Sequence, residues 1–161
     1  MRYALRGETA LLRAQWLAAR LAVRRGARVV DAGNSFQPYL WARAERRGWG
    51  PPLKEILVAR AFTPYQTWRL LRQLRGGEEV LLLLAPFAGL EGFSVRERRR
   101  LERGLRQEVR RLVALWEGPL VLALPEERAE RALPEVSVEE PTHSFLPIRR
   151  RLFDGADGFT V

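Results

Sequence analysis

At 161 residues, with 47% apolar and 29% charged side chains, the chain is long enough for one domain with its own core and too apolar for a disordered segment. It has no cysteine and a single histidine, His143, which excludes disulfides, thiolate zinc sites, thiol nucleophiles and multi-histidine metal centres. The net charge of +9 rests on 28 basic residues, of which Lys54 alone is not arginine; this suits a polyanionic partner, and it equally suits a GC-rich genome or a hot habitat.

The chain opens on a short strand, Arg2 to Leu5, followed by Arg6-Gly7-Glu8 and a helical pattern from Thr9 to Arg25. Its apolar residues Leu11, Leu12, Trp16, Leu17, Leu21 and Val23 largely track one face, and Gly26 is placed as a stop. A strand around Arg28 to Ala32 leads into a loop, and a helix over Tyr39 to Arg47 runs until Gly48. Gly48 to Pro52 is a loop by composition. The apolar stretch Ile56 to Ala61 predicts a strand, and Thr63-Pro64 sets an N-cap beside a first-turn proline for a helix carrying Trp68, Leu70, Leu71 and Leu74. Gly76-Gly77 ends it.

Val80 to Ala85 is a continuous apolar run of strand length, the pattern of a central strand covered on both faces. Ser94-Val95-Arg96-Glu97 matches a capping box and starts a helix to about Glu117, with Leu101, Leu105, Val109, Leu112, Val113 and Trp116 as its buried stripe. Gly118-Pro119 stops it and Leu120 to Leu124 is another buried strand. Beyond Pro125 the pattern weakens to a short helix over 126–133 and strands over 136–139, 148–153 and 158–161. Repeated strand-helix units with short connections predict a single α/β domain with a mainly parallel sheet, its core over residues 2–125 and a C-terminal hairpin over 126–161. No apolar run is long enough to cross a bilayer and the N-terminus has no hydrophobic targeting core, so a soluble cytoplasmic protein without a membrane partner is expected.

The order VVDAGNSFQPYLWARAERRG, ILVARAFTPYQTWRLLRQL, VLLLLAPFAGL, a long arginine-rich helix and LVLAL resembles the ATPase core of the RecA/RadA recombinase family. Asp31, Phe36 and Pro38 fit one family element, and Ala59, Arg60, Ala61 and Gln66 a second. The resemblance spans roughly residues 5 to 125 and implies a three-layer, P-loop NTPase-type domain. The chemistry of that family is missing, because Arg6-Gly7-Glu8-Thr9 is too short to wrap a triphosphate and the only lysine, Lys54, lies elsewhere. Ala85 or Pro86 stands where the metal-side aspartate belongs, and Gly33 where an acid would activate water. The expectation is a pseudo-ATPase with no catalytic residue, metal or cofactor.

Asp31 reads either as a capping residue before Gly33-Asn34 or as a leftover ligand at a sheet edge. His143 reads as a loop residue, and Asp154 and Asp157 as hairpin-turn residues. The candidate binding surface is Phe87 and Phe93 with Arg96, Arg98, Arg99, Arg100 and Arg103, where aromatic rings beside cations would hold single-stranded or branched DNA. The competing reading of those arginines is an ordinary solvated helix face. By resemblance the expected role is a DNA-binding or accessory module in DNA repair or recombination, with a recombinase or other repair protein as partner. The alternative is a module that regulates a recombinase, repair polymerase or cell-division protein without touching DNA, with Trp41, Trp49 and Tyr65 as docking aromatics if they are not core residues.

Overall fold

A computed structural model describes residues 1–125; the elements expected over 126–161, with His143, Asp154 and Asp157, lie outside the described residues. The order is β1 (Arg2–Arg6), α1 (Ala10–Leu21), β2 (Ala27–Asp31), α2 (Pro38–Arg46), β3 (Ile56–Arg60), α3 (Pro64–Gln73), β4 (Val80–Leu84), α4 (Val95–Leu115) and β5 (Leu120–Leu124). Single 3-10 turns stand at Leu53–Glu55 and Leu90–Gly92. Every predicted element within 1–125 is present, but two helices stop early. α1 ends at Leu21 and the chain turns through Ala22 to Gly26, whose φ of +70° lets it enter β2. α4 ends at Leu115, because Trp116 leaves the helix to bury its ring and donate its indole N–H to the Glu79 carbonyl at 2.8 Å.

The five strands among the described residues are all parallel, in the order β1-β5-β4-β2-β3. Parallel neighbours need crossover helices, and these cover both faces of the sheet. Alternate strand residues therefore feed two separate cores. Val29, Val80, Leu82, Leu84, Val121 and Ala123 pack with α1 and α2, around Leu17, Leu40 and the fully buried Trp41. Val30, Leu81, Leu83, Leu120 and Leu122 pack with α3 and α4, around Leu71, Leu101, Leu105 and Leu112. The unbroken apolar runs of β4 and β5 follow from this arrangement, since both faces of a central parallel strand are dry. The α/β class with a parallel central sheet is thus as expected.

The helix ends are held by the residues the sequence marked. Thr63 Oγ1 accepts the Gln66 N–H at 3.2 Å, and Ser94 Oγ accepts the Glu97 N–H at 3.3 Å while donating to the Glu97 carboxylate. The C-termini are capped by arginines that no local pattern reveals. The Arg111 guanidinium donates to the carbonyls of Leu71 (2.8 Å) and Leu74 (3.1 Å) at the end of α3. Arg2, on β1, does the same for Val113 in the last turn of α4 and for Trp116 and Gly118 just beyond it.

Candidate protein-interaction edge

At the C-terminal ends of the strands, where α/β sheets hold their ligands, the loops are short and internally bonded. After β1 the chain turns at Gly7 (φ +89°), whose N–H is taken by the Leu124 carbonyl at 3.1 Å, and its own carbonyl accepts from Ala10 N–H at 3.0 Å. After β2, Asp31 is fully buried and its carboxylate accepts the backbone N–H groups of Ser35 (2.8 Å) and Phe36 (3.0 Å), with Arg60 Nε at 3.4 Å. Buried Gln15 on α1 clamps the same loop, donating to the Ser35 carbonyl and accepting from Gln37 N–H, both within 2.9 Å. Asp31 is therefore the organiser of a turn, the first of its two sequence readings. Among the described residues no group of three or more histidine, cysteine or acidic side chains is placed to hold a metal ion.

The residues expected to form a DNA-binding surface divide when placed on the fold. Phe87 and Phe93 are half-buried and pack against the core under α3 and α4; the Phe93 ring meets Tyr65 edge-to-face at 5.8 Å. Arg98 is also half-buried, whereas Arg96, Arg99, Arg100 and Arg103 are exposed. The two rings are thus partly packed into the core, while four of the five arginines face solvent. Of the docking aromatics considered, Trp41 is a core residue, while Trp49 and Tyr65 are exposed.

The feature that sequence reasoning missed is the free edge of the sheet. Among the described residues β3 pairs only with β2, in register Val29↔Val58 and Val30↔Ala59, and no helix packs extensively on it. Parallel register places Val58 on the α1/α2 face, beside Val29, and Leu57 on the α3/α4 face, beside Arg28. Both are nevertheless exposed, Leu57 at 61%, so the strand projects past both helical layers. The exposed apolar surface continues through Leu53 before the strand and through Phe62, 75% exposed, and Tyr65 after it. The Ala61 N–H bonds inward to the Asp31 carbonyl at 2.9 Å, so the alternation of the strand turns the backbone groups of Ile56, Val58 and Arg60 outward. Phe62 N–H, next in that outward series, is capped by Gln66 Oε1 at 2.8 Å.

No family model matches the chain, and no curated protein matches it. Among solved structures, SulA from Pseudomonas aeruginosa aligns over 77% of this chain and 96% of its own, at 17% identity and a TM-score of 0.41. The RecA/RadA assignment is corrected: no family model, that family's included, matches the chain, and the RecA-like, pseudo-ATPase, DNA-repair, recombination and DNA-binding roles that came with it lose their support.

The residues behind that resemblance have local work that accounts for them. Asp31 ties down the loop after β2, Phe36 packs on Trp41 with ring centroids 5.8 Å apart, and Pro38 occupies the first turn of α2. Arg60 reaches back to Asp31, and Gln66 closes the turn between β3 and α3. Strand-to-helix connections of this kind recur wherever a parallel sheet needs a buried acid and a capped helix, so they identify an architecture and not an activity. No helix among the described residues is long and apolar enough to cross a membrane.

Proposed function

We propose that the chain is a non-enzymatic protein-interaction module that binds an extended segment of a cell-division protein along the free edge of β3. The observation that supports this most is the strand itself, with outward backbone groups at Ile56, Val58 and Arg60 and exposed apolar side chains on both faces. Natural sheets blunt such edges with charge, proline, bulges or a covering helix, because an open apolar edge recruits another strand. Here Arg60 reaches back to Asp31 and, among the described residues, no helix covers the strand. Main-chain hydrogen bonds would supply affinity, and Leu57, Val58 and Phe62 would read alternate side chains of the segment.

A second copy of this chain is a poor occupant, since each carries a net charge of +9 and copies repel. The segment that fits is apolar with acidic flanks. A cell-division protein is put forward among the partner kinds read from the sequence because the repair setting has lost its support. The tight turn at Gly7 and the engaged carboxylate of Asp31 support a non-enzymatic role, since neither offers a cradle for phosphate.

A photo-crosslinking residue at position 62 of the full-length chain is expected to trap a discrete protein adduct in cells, identified by mass spectrometry as a cell-division protein and mapped to an extended segment. The same residue at exposed Val23 should trap none. Leu57→Asp should reduce the adduct at least about tenfold while leaving the thermal midpoint within about 2 °C, because position 57 already faces water. Absence of an adduct at 62, or equal adducts at 62 and 23, would refute the edge as the docking site.

A further inference from the structure

We infer that the outer face of α4 is a second docking surface, built for an acidic amphipathic helix of a partner protein lying alongside it. At 100° per residue, Arg96, Arg99, Arg100, Arg103, Arg106 and Arg110 fall within one arc of about 120°, opposite the buried stripe of Leu101, Leu105, Val109 and Leu112. Gln107 and Ala114 complete the arc. Glu97, Glu102 and Glu108 all lie outside it.

The acidic residues of the helix are consumed at its margins. Glu102 pairs with Arg106, and Glu108 with Arg111 at 2.7 Å and Arg72 at 4.0 Å. Arg96, Arg99, Arg100 and Arg103 have no carboxylate partner among the described residues, although they stand four apart in the pairs 96/100 and 99/103. Like charges at that spacing repel, so the bare helix carries a standing electrostatic cost that a complementary surface would remove.

The geometry favours a helix over nucleic acid. The arginine band runs about 21 Å along the helix at 1.5 Å per residue, and within it Arg99, Arg103, Arg106 and Arg110 follow intervals of four, three and four. An acidic helix with carboxylates at i, i+4, i+7 and i+11 presents the same repeat. Arg99, Arg103, Arg106 and Arg110, with Glu102 and Gln107, line a shallow hollow that would receive such side chains. Single-stranded nucleic acid is held best where bases stack on exposed aromatic rings, and Phe87 and Phe93 are half-buried against the core.

The probe is a fluorescent glutamate–alanine peptide with glutamates at i, i+4, i+7 and i+11, titrated against the full-length chain by anisotropy. Comparators are a scrambled peptide of the same composition, which spreads the glutamates around the helix, and a thymidine oligonucleotide. The patterned peptide should bind at least about 10-fold more tightly than the scrambled one. Its affinity should fall steeply with salt, and Arg99→Glu with Arg103→Glu should lower it at least about 30-fold with the thermal midpoint preserved. Leu57→Asp should leave it unchanged, so the edge of β3 and the face of α4 succeed or fail separately. Equal binding of the scrambled peptide would reduce the surface to net charge, and tighter oligonucleotide binding would make it a nucleic-acid surface. Either result, or indifference to the two charge reversals, would overturn the inference.

Discussion

Asp31→Ala is expected to destabilise the chain by about 3 kcal/mol, through a loop and not through a core void. The carboxylate is fully buried and accepts two backbone N–H groups, from Ser35 and Phe36, in a segment that has no ladder partner of its own. Removing it strands both donors, each at about 1–3 kcal/mol when water cannot reach them. The ion pair adds little, because the Arg60 side chain is 42% exposed and can turn to solvent, where such a pair is worth under about 1 kcal/mol. The magnitudes therefore assign most of the loss to the amides. Asp31→Asn, which retains one acceptor oxygen, should cost about half as much. Urea denaturation checks both values, and hydrogen exchange checks the mechanism: in Asp31→Ala, protection should fall first at Ser35 to Gln37, while β4 keeps its protection. A uniform loss across the sheet would mean that Asp31 supports the core directly.

How far the sequence discloses this molecule depends on what each signal measures. β4 and β5 are legible because a strand covered on both faces must be apolar throughout, and VLLLL and LVLAL are. The caps of α3 and α4 are legible because a hydroxyl three residues before a donor or acid is a local device. Ile56 to Ala61 looks the same as those buried strands, yet Leu57 and Val58 face water. Whether an apolar strand is central or at an edge is set by strand order, which no window of sequence contains. Phe87 and Phe93 show the converse, with burial that their sequence neighbours do not reveal. They follow a strand and precede a cationic helix, but the turn at Leu90–Gly92 folds that segment under α3 and α4, so the rings become packing. The arginines were legible as a cluster, and the helical repeat alone separates half-buried Arg98 from its outward neighbours. Arg2 and Arg111 could not be sorted from sequence, since the carbonyls they cap belong to other elements.

Gly104→Ala is the second large effect, and its sign runs against the usual rule. Alanine for glycine in the middle of a helix normally stabilises by about 1 kcal/mol, from backbone entropy. Gly104 lies in the middle of α4 on its buried face, where a Cβ would stand 2.7 Å from the indole ring of Trp68 on α3. A separation that short requires one helix to move, and the ring has few places to go because α3 and α4 pack along their length. Overpacking of this kind costs about 1–3 kcal/mol, and for a methyl pressed into a ring plane the upper part of that range applies. The net expectation is a loss of about 1–2 kcal/mol, read as a lower urea midpoint with an unchanged slope. Trp68→Leu removes the opposing atoms, so in that background Gly104→Ala should become neutral or stabilising. The resulting coupling of about 2 kcal/mol in a double-mutant cycle would place the close approach of the two helices at this pair. Equal effects of Gly104→Ala in both backgrounds would show that the helices already have room, and that glycine at this position serves some purpose other than contact with Trp68.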